Sequence, residues 1–238
     1  MNECLCHDPS QLKRLTNMKS KDARFNNHFL RNEFLSNEIY DIPVIQRDEI
    51  DISCIDLIGF NNVKAKDNNK HLNKFIHFFL DDYKFNSVYD CPEKYIARIK
   101  SFIGVLSPDF SLYTDMAQAR QIEHTFKNRW CGAFWQSHGI KVIPTIGWSD
   151  ERSFDFCFAG VEKGSIVAVS TVGSRRAKSP FMKGYTEMLR RIEPGSVICY
   201  GSPFDEMEGN IVYIDYLQVT NRKNEKKQNQ YKEQLYLF

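Results

Sequence analysis

No stretch of this 238-residue chain approaches the roughly 18 uninterrupted apolar residues of a membrane-spanning helix. The opening MNECLCHDPSQLKR also lacks the apolar segment of a secretory signal. No membrane role is therefore expected, and the expected location is the cytosol. Charge of one sign is equally missing: 32 basic residues against 30 acidic ones leave a formal charge of +2. Any contact with nucleic acid then has to come from a local patch, not from a polycationic surface. The chain has no Gly-rich phosphate loop and no G-x-S-x-G nucleophile motif, so neither common motif supports a catalytic assignment. An even set of cysteines is absent too. There are seven, and Cys54, Cys131, Cys157 and Cys199 sit in apolar runs, where a free thiol behaves as a small hydrophobe. Cys4, Cys6 and His7 form a C-x-C-H cluster without the fourth ligand of a closed zinc site and with a tighter gap than usual, so no metal site is assigned there.

What is present is enough apolar material, 42% with 13% aromatic, for one large core. Residues 1–40 are polar, Asn-rich and weakly periodic, and read as an arm. Residues 41–218 read as one α/β core domain, because short apolar runs alternate with longer amphipathic ones. Residues 219–238 read as a flexible tail.

The clearest core unit begins with Ser165 to Thr171, SIVAVST, which has the β-branched content of a strand buried on both faces. A helix follows, with Ser179 as the expected N-cap and Pro180 in the first helical position. Phe181, Tyr185, Met188, Leu189 and Ile192 recur at three- and four-residue spacing. Pro194 and Gly195 stop it, and Val197 to Tyr200 is the next strand, completing a βαβ unit. The same grammar makes strands of Cys54–Gly59, Phe75–Leu80, Phe102–Leu106, Lys141–Ile146 and Ile211–Ile214, and helices of Pro92–Lys100 and about Asp115–Ser137. Seven strand candidates of this kind predict a parallel, (βα) barrel-like fold. An open doubly wound sheet is the competing arrangement.

The strings IHFFLDDYKF, GVLSPDFSLYTDM, WCGAFWQSHGIKVIPTIGWSDERSFDFCF, KGSIVAVSTVG and ICYG occur in that order between Ile42 and Tyr213. Together they resemble an uncharacterised bacterial and phage family, DUF4417, found in phages, plasmids and other mobile elements. The resemblance implies a mobile-element context but no chemistry.

In parallel α/β folds the loops after the strands build the site. Polar residues stand at each such position: Asn61 and Asn62; Asp81 and Asp82; Ser107, Asp109 and Ser111; Thr145, Trp148, Ser149 and Asp150; Ser170 and Thr171. If their strands are neighbours, Asp82 and Asp109 meet at one rim as a carboxylate pair, suited to hydrolysis and compatible with a divalent metal. Helix capping is the plainer reading of such residues. The loop GSRRAK, residues 173–178, brings Arg175, Arg176 and Lys178 to a helix start, where phosphate or a nucleic-acid backbone is favoured. Trp148, in a polar loop, and Thr171 complete the expected nucleic-acid or phosphate contact, whereas Trp130, Trp135 and His77 read as core.

Beyond a polar stretch, TNRKNEKKQNQYKEQ, stand Gln234, Leu235, Tyr236, Leu237 and Phe238. This Q-L-x-L-F resembles the pentapeptide with which bacterial polymerases and repair proteins hold the DNA sliding clamp. A polar lead residue with apolar anchors at Leu235, Leu237 and Phe238 suits insertion into a preformed groove. The alternative is that the segment folds back as an edge strand. The sequence thus points to a mobile-element protein at replicating DNA, with the sliding clamp as partner and DNA or a nucleotide as further ligand. A stand-alone hydrolase using Asp82 and Asp109 is the rival, and a binding module without catalysis is a third reading.

Overall fold

A computed structural model describes residues 30–53, 55–63 and 72–220. The tail peptide Gln234–Phe238 and the Cys4, Cys6, His7 cluster lie outside the described residues, as does Cys54.

Among the described residues seven strands form, in the order β1 (Leu57–Gly59), β2 (Phe75–His77), β3 (Gly104–Leu106), β4 (Val142–Ile143), β5 (Ile166–Ser170), β6 (Ser196–Tyr200) and β7 (Ile211–Ile214). Every ladder is parallel, and spatial order follows chain order within β1–β4 and within β5–β7. The two halves join where Thr145 bridges Ala168 in parallel register. There Ala168 N–H donates to Pro144 O at 2.9 Å and Ile146 N–H donates to Ala168 O at 2.8 Å. Pro144 has no N–H to offer β5, so the β4–β5 pairing stays a single bridge. The β3–β4 ladder ends at the same point because the Ser107 hydroxyl accepts the Thr145 N–H, at 2.7 Å.

A doubly wound sheet reverses its strand order at a switch point, and the described strands show no reversal. Their arrangement is barrel-like. Leu57, Phe75, Leu106, Ile143, Ala168 and Ile198 pack into one cluster with Ile214, so every strand contributes to a shared inner layer. Tyr216 and Val219, from helix α5 (Tyr216–Thr220), pack against the same cluster, and α5 lies beside β1.

Alternate residues of the strands face outward onto helices. Ile58, Ile76, Val105 and Val142 pack with Trp130, Phe134 and Trp135 of helix α3 (Gln118–Ser137) and with the short helices α1 (Ser87–Asp90) and α2 (Glu93–Ile99). Val167, Val169, Val197 and Cys199 pack under Phe181, Tyr185, Met188 and Ile192 of α4 (Lys178–Ile192). That period-two alternation under period-3.6 helices is why the apolar runs read correctly as parallel strands. Trp130, Trp135 and His77 are buried, as expected. So are the thiols of Cys91, Cys131, Cys157 and Cys199.

Several boundaries differ from the sequence expectation. Phe75–Leu80 is a strand only to His77, since Asp81 turns the chain into a single 3-10 turn at Asp82–Lys84. Helix α4 starts at Lys178 with Ala177 in the cap position and no side-chain cap, so Ser179 lies inside the helix instead of capping it. A preceding 3-10 turn, Arg175–Ala177, has already set the backbone direction there. Its end matches: Glu193 adopts a left-handed cap at φ 48° and Pro194 follows.

Candidate functional site

Because the strands run parallel, the loops after β2, β3, β4 and β5 emerge at one rim. Asp82, Asp109, Trp148 and Thr171 all belong to that rim. The side chains then divide into separate groups.

The first group lies between the β2 and β3 loops. The carboxylate of Asp82 accepts the Ser111 backbone N–H at 3.2 Å from each oxygen, and its Oδ1 accepts the Ser111 hydroxyl at 2.8 Å. His124, nearly two turns into α3, places Nδ1 2.8 Å from the Ser111 carbonyl and 3.8 Å from Asp82 Oδ2. Donation to a carbonyl puts the imidazole proton on Nδ1, leaving Nε2 as the lone-pair nitrogen of the neutral ring.

Asp109 sits deeper. The residue as a whole keeps partial exposure, but its carboxyl is sunk among Phe110, Leu112 and Gly147. Burial raises its pKa to about 7, with the negative charge of Asp82 adding to the effect. A cleft of about 270 Å³ opens beside Asp82 and His124, lined also by Asn86, Tyr89, Phe110 and Lys127, while Asp109 lines a separate, much smaller void over Asn128 and Arg129. A carboxyl that titrates near neutrality, beside a hydrogen-bonded carboxylate and an oriented imidazole, is an arrangement capable of proton transfer.

Beneath these side chains runs a buried polar network. Ser107 Oγ donates to Asn128 Oδ1 at 2.7 Å, and Asn128 Nδ2 donates to Thr145 O at 3.0 Å. Arg129, 1% exposed, donates to Asn128 Oδ1 and to the carbonyls of Thr145, Cys157 and Ala159 at 2.6 to 2.9 Å. Every one of these acceptors is neutral, and burial lowers the guanidinium pKa to about 10. The network locks α3 to the ends of β3 and β4 and so holds His124 over the β3 loop.

His124, Asn128 and Arg129 are absent from the sequence-based candidates. A signal for them existed: Gln121, His124 and Asn128 recur at three and four residues, a polar stripe on the buried face of a helix that also buries Trp130, Phe134 and Trp135.

The second group stands at the start of α4. Arg175 Nη2 donates to Ser202 O at 3.0 Å, and its guanidinium lies over the Phe204 ring at 4.8 Å. Lys178 pairs with Glu206 at 2.6 Å, and Arg176 is exposed in the 3-10 turn. No acidic residue occupies the first turn of α4, so the basic side chains and the dipole end act in the same sense. The remaining two residues are engaged structurally. Thr171 Oγ1 donates to Ser202 O at 2.8 Å, and Trp148 packs on Phe181 with ring centroids 5.0 Å apart.

Asp82 and Asp109 are thus brought together, and Arg175, Arg176 and Lys178 are brought to one helix start. The two clusters share a rim but not a pocket. No group of three or more His, Cys, Asp or Glu side chains suited to a metal occurs among the described residues, and no described helix is long and apolar enough to cross a membrane.

A parallel α/β domain of sequential strand order, with its polar loops gathered at one rim, defines the class. Within it, the family model for a domain of unknown function, DUF4417, matches residues 34–217, and the chain belongs to that family. It is 39% identical over 175 residues to the Gene 1 protein of Mycobacterium phage L5, covering 72% of this chain and 76% of that protein. It is 37% identical over 175 residues to the Gene 1 protein of Mycobacterium phage D29, where the match spans 72% of this chain but 64% of the relative. No solved structure matches. The family match ends at residue 217, before the Q-L-x-L-F peptide.

Proposed function

We propose that this chain is a mobile-element protein acting at replicating DNA, recruited to the bacterial sliding clamp by Gln234–Phe238. Arg175, Arg176 and Lys178 contact the phosphate backbone. The observation that carries the reading is the Q-L-x-L-F peptide behind a polar, charged stretch of about 14 residues, outside the family domain. Leu235, Leu237 and Phe238 fill the clamp groove and Gln234 sets register, as a few anchors carry most peptide affinity. Tethering raises the local concentration of the domain at DNA, so a weak rim contact suffices. The phage relatives support the mobile-element context. Competition with host polymerases for the groove is the inhibitory form of the same reading.

The test is a direct titration of purified bacterial clamp. Full-length protein should bind, and a chain truncated after Glu233 should not, with melting temperature changed by no more than about 2 °C. Leu237→Ala with Phe238→Ala should cost at least a few kcal/mol of affinity, at roughly 1.5–3 kcal/mol per buried large apolar side chain. Failure of the full-length protein to bind would remove the clamp from the function.

One observation favours a second reading, a hydrolase using Asp82 and Asp109: the Asp109 carboxyl titrates near pH 7 beside Asp82. A thermal-shift screen with divalent metals and nucleotides tests it, because a ligand that binds only the folded state raises its melting temperature. Loss of the shift in both Asp82→Asn and Asp109→Asn supports the reading. A shift that survives both ends it.

A further inference from the structure

The first two strands deliver another polar cluster to the same mouth, on the inner face of the strand array. His77 ends β2, is 1% exposed, and lies 4.8 Å from the Tyr200 ring of β6 across the interior. Its Nδ1 accepts the Phe79 backbone N–H at 3.2 Å. Burial holds the ring neutral by lowering its pKa to about 3, so the single ring proton is on Nε2. That Nε2 is buried and has no hydrogen-bond partner. Buried polar groups are nearly always paired, and one that is not marks the place of an absent water or ligand.

Opposite it, Gly59 ends β1. A Cβ there would stand 2.7 Å from Asn61 Oδ1, 3.5 Å from His77 Nε2 and 3.7 Å from Asn62 Nδ2. Three polar side-chain atoms therefore lie round the place that a Cβ on residue 59 would take, which only a glycine leaves open. Asn61 and Asn62 are exposed, while the His77 Nε2 itself is shut off from solvent. Its wall is aromatic: Phe79 stacks on Tyr200 at 4.7 Å and 19°, and Tyr216 lies 6.2 Å from Tyr200.

We propose that Gly59, Asn61, Asn62 and His77 form a binding site for a planar ring with adjacent carbonyl and N–H groups, the lactam edge of a nucleobase-type heterocycle. The His77 Nε2–H donates to the ring carbonyl, the Asn61 amide oxygen accepts the ring N–H, and Asn62 Nδ2 donates to a second ring acceptor. An Nε2–H bond points along the imidazole plane. A ring that accepts it lies near that plane, which is tilted 30° from Phe79. The charge state argues for a neutral ligand. None of the four residues is cationic, so an anion would be buried without compensation, and none is a carboxylate that would hold a metal. The site uses neither the tail nor the basic loop, so it stands or falls separately from clamp recruitment.

Full-length protein should be titrated calorimetrically with uridine and thymidine, which carry the lactam edge, and with cytidine and adenosine, which do not. Uridine and thymidine should bind, with cytidine at least about tenfold weaker, the scale of one mispaired base edge. Gly59→Ala should weaken uridine binding by about tenfold or more by pushing Asn61 away, while leaving the melting temperature in place. Its backbone angles, φ −65° and ψ 137°, suit alanine. If that variant does not fold, Asn61→Ala at an exposed position should give the same loss. The proposal is overturned if the wild-type protein binds none of these nucleosides, leaving the His77 N–H to an ordered water only. It is equally overturned if uridine and cytidine bind alike, or if the folded variants bind as the wild type does.

Discussion

The indole of Trp148 occupies the space in which a Cβ on residue 184 would stand, with Nε1, Cδ1 and Cε2 all inside van der Waals contact of that point. Gly184, in the middle of α4, is thus the reason the β4 loop can lie flat on the helix. Gly184→Ala gains about 1 kcal/mol of helix propensity but forces the indole out of contact with Phe181, an overpacking cost of roughly 1–3 kcal/mol. Urea unfolding should show net destabilisation with altered Trp148 emission. A more stable variant would mean that the loop moves freely.

Asp109 should make stability depend on pH in a defined direction. Its folded pKa, about 7, stands above the ordinary value of 3.8 because of burial and the neighbouring Asp82. The folded state therefore holds a proton that the unfolded chain has released, and stability falls as pH rises from about 4 to about 7. Asp109→Asn should match the wild type at pH 4 and exceed it by roughly 1–3 kcal/mol at pH 8, allowing for the partial exposure of the residue. Denaturation at both pH values checks this, and parallel profiles would show that the carboxyl is not responsible.

Arg129→Lys should be costly despite preserving charge. The guanidinium serves four buried acceptors on three sides, and an ammonium on a flexible stem cannot reach them together. The stranded carbonyls and the poorly solvated charge should cost roughly 2–4 kcal/mol in chemical denaturation. A loss below about 1 kcal/mol would mean that water replaces the fork.

Replacing Arg175, Arg176 and Lys178 together by Ala should weaken DNA binding uniformly across sequences. The slope of log affinity against log salt should flatten by about 2 to 3, at 0.7 to 0.9 for each lost phosphate contact. Lys178 pairs with Glu206 and Arg175 lies on Phe204, so a small loss of stability, on the order of 1 kcal/mol, accompanies the change. An unchanged salt slope would assign these side chains to folding alone.

The strands were legible because burial on both faces requires continuous apolar runs, and Val197–Tyr200, buried throughout, stands out for that reason alone. Their lengths were less so. Phe78, Phe79 and Leu80 are as apolar as Phe75–His77, yet they leave the ladder to line the outer core and the mouth. The Asp82 and Asp109 pairing was legible from position, because the residue after a parallel strand always emerges at the same rim. His124 was not, since a histidine inside a helix reaches the rim only when α3 packs at one particular height over β3.

By itself, the sequence determined the parallel α/β class, the rim residues, the basic helix start and the Q-L-x-L-F peptide. All of these are properties of local pattern, in which the period of the apolar residues dictates the element and its exit. Only the tertiary structure decided which rim residues meet. The Ser111 bonds that hold Asp82, the carbonyls of Thr145, Cys157 and Ala159 around Arg129, and the unpaired His77 N–H facing Gly59 join residues 16 to 30 positions apart. Their spacing is set by strand register and helix packing, which no local pattern encodes, and burial then sets the protonation of Asp109 and His77.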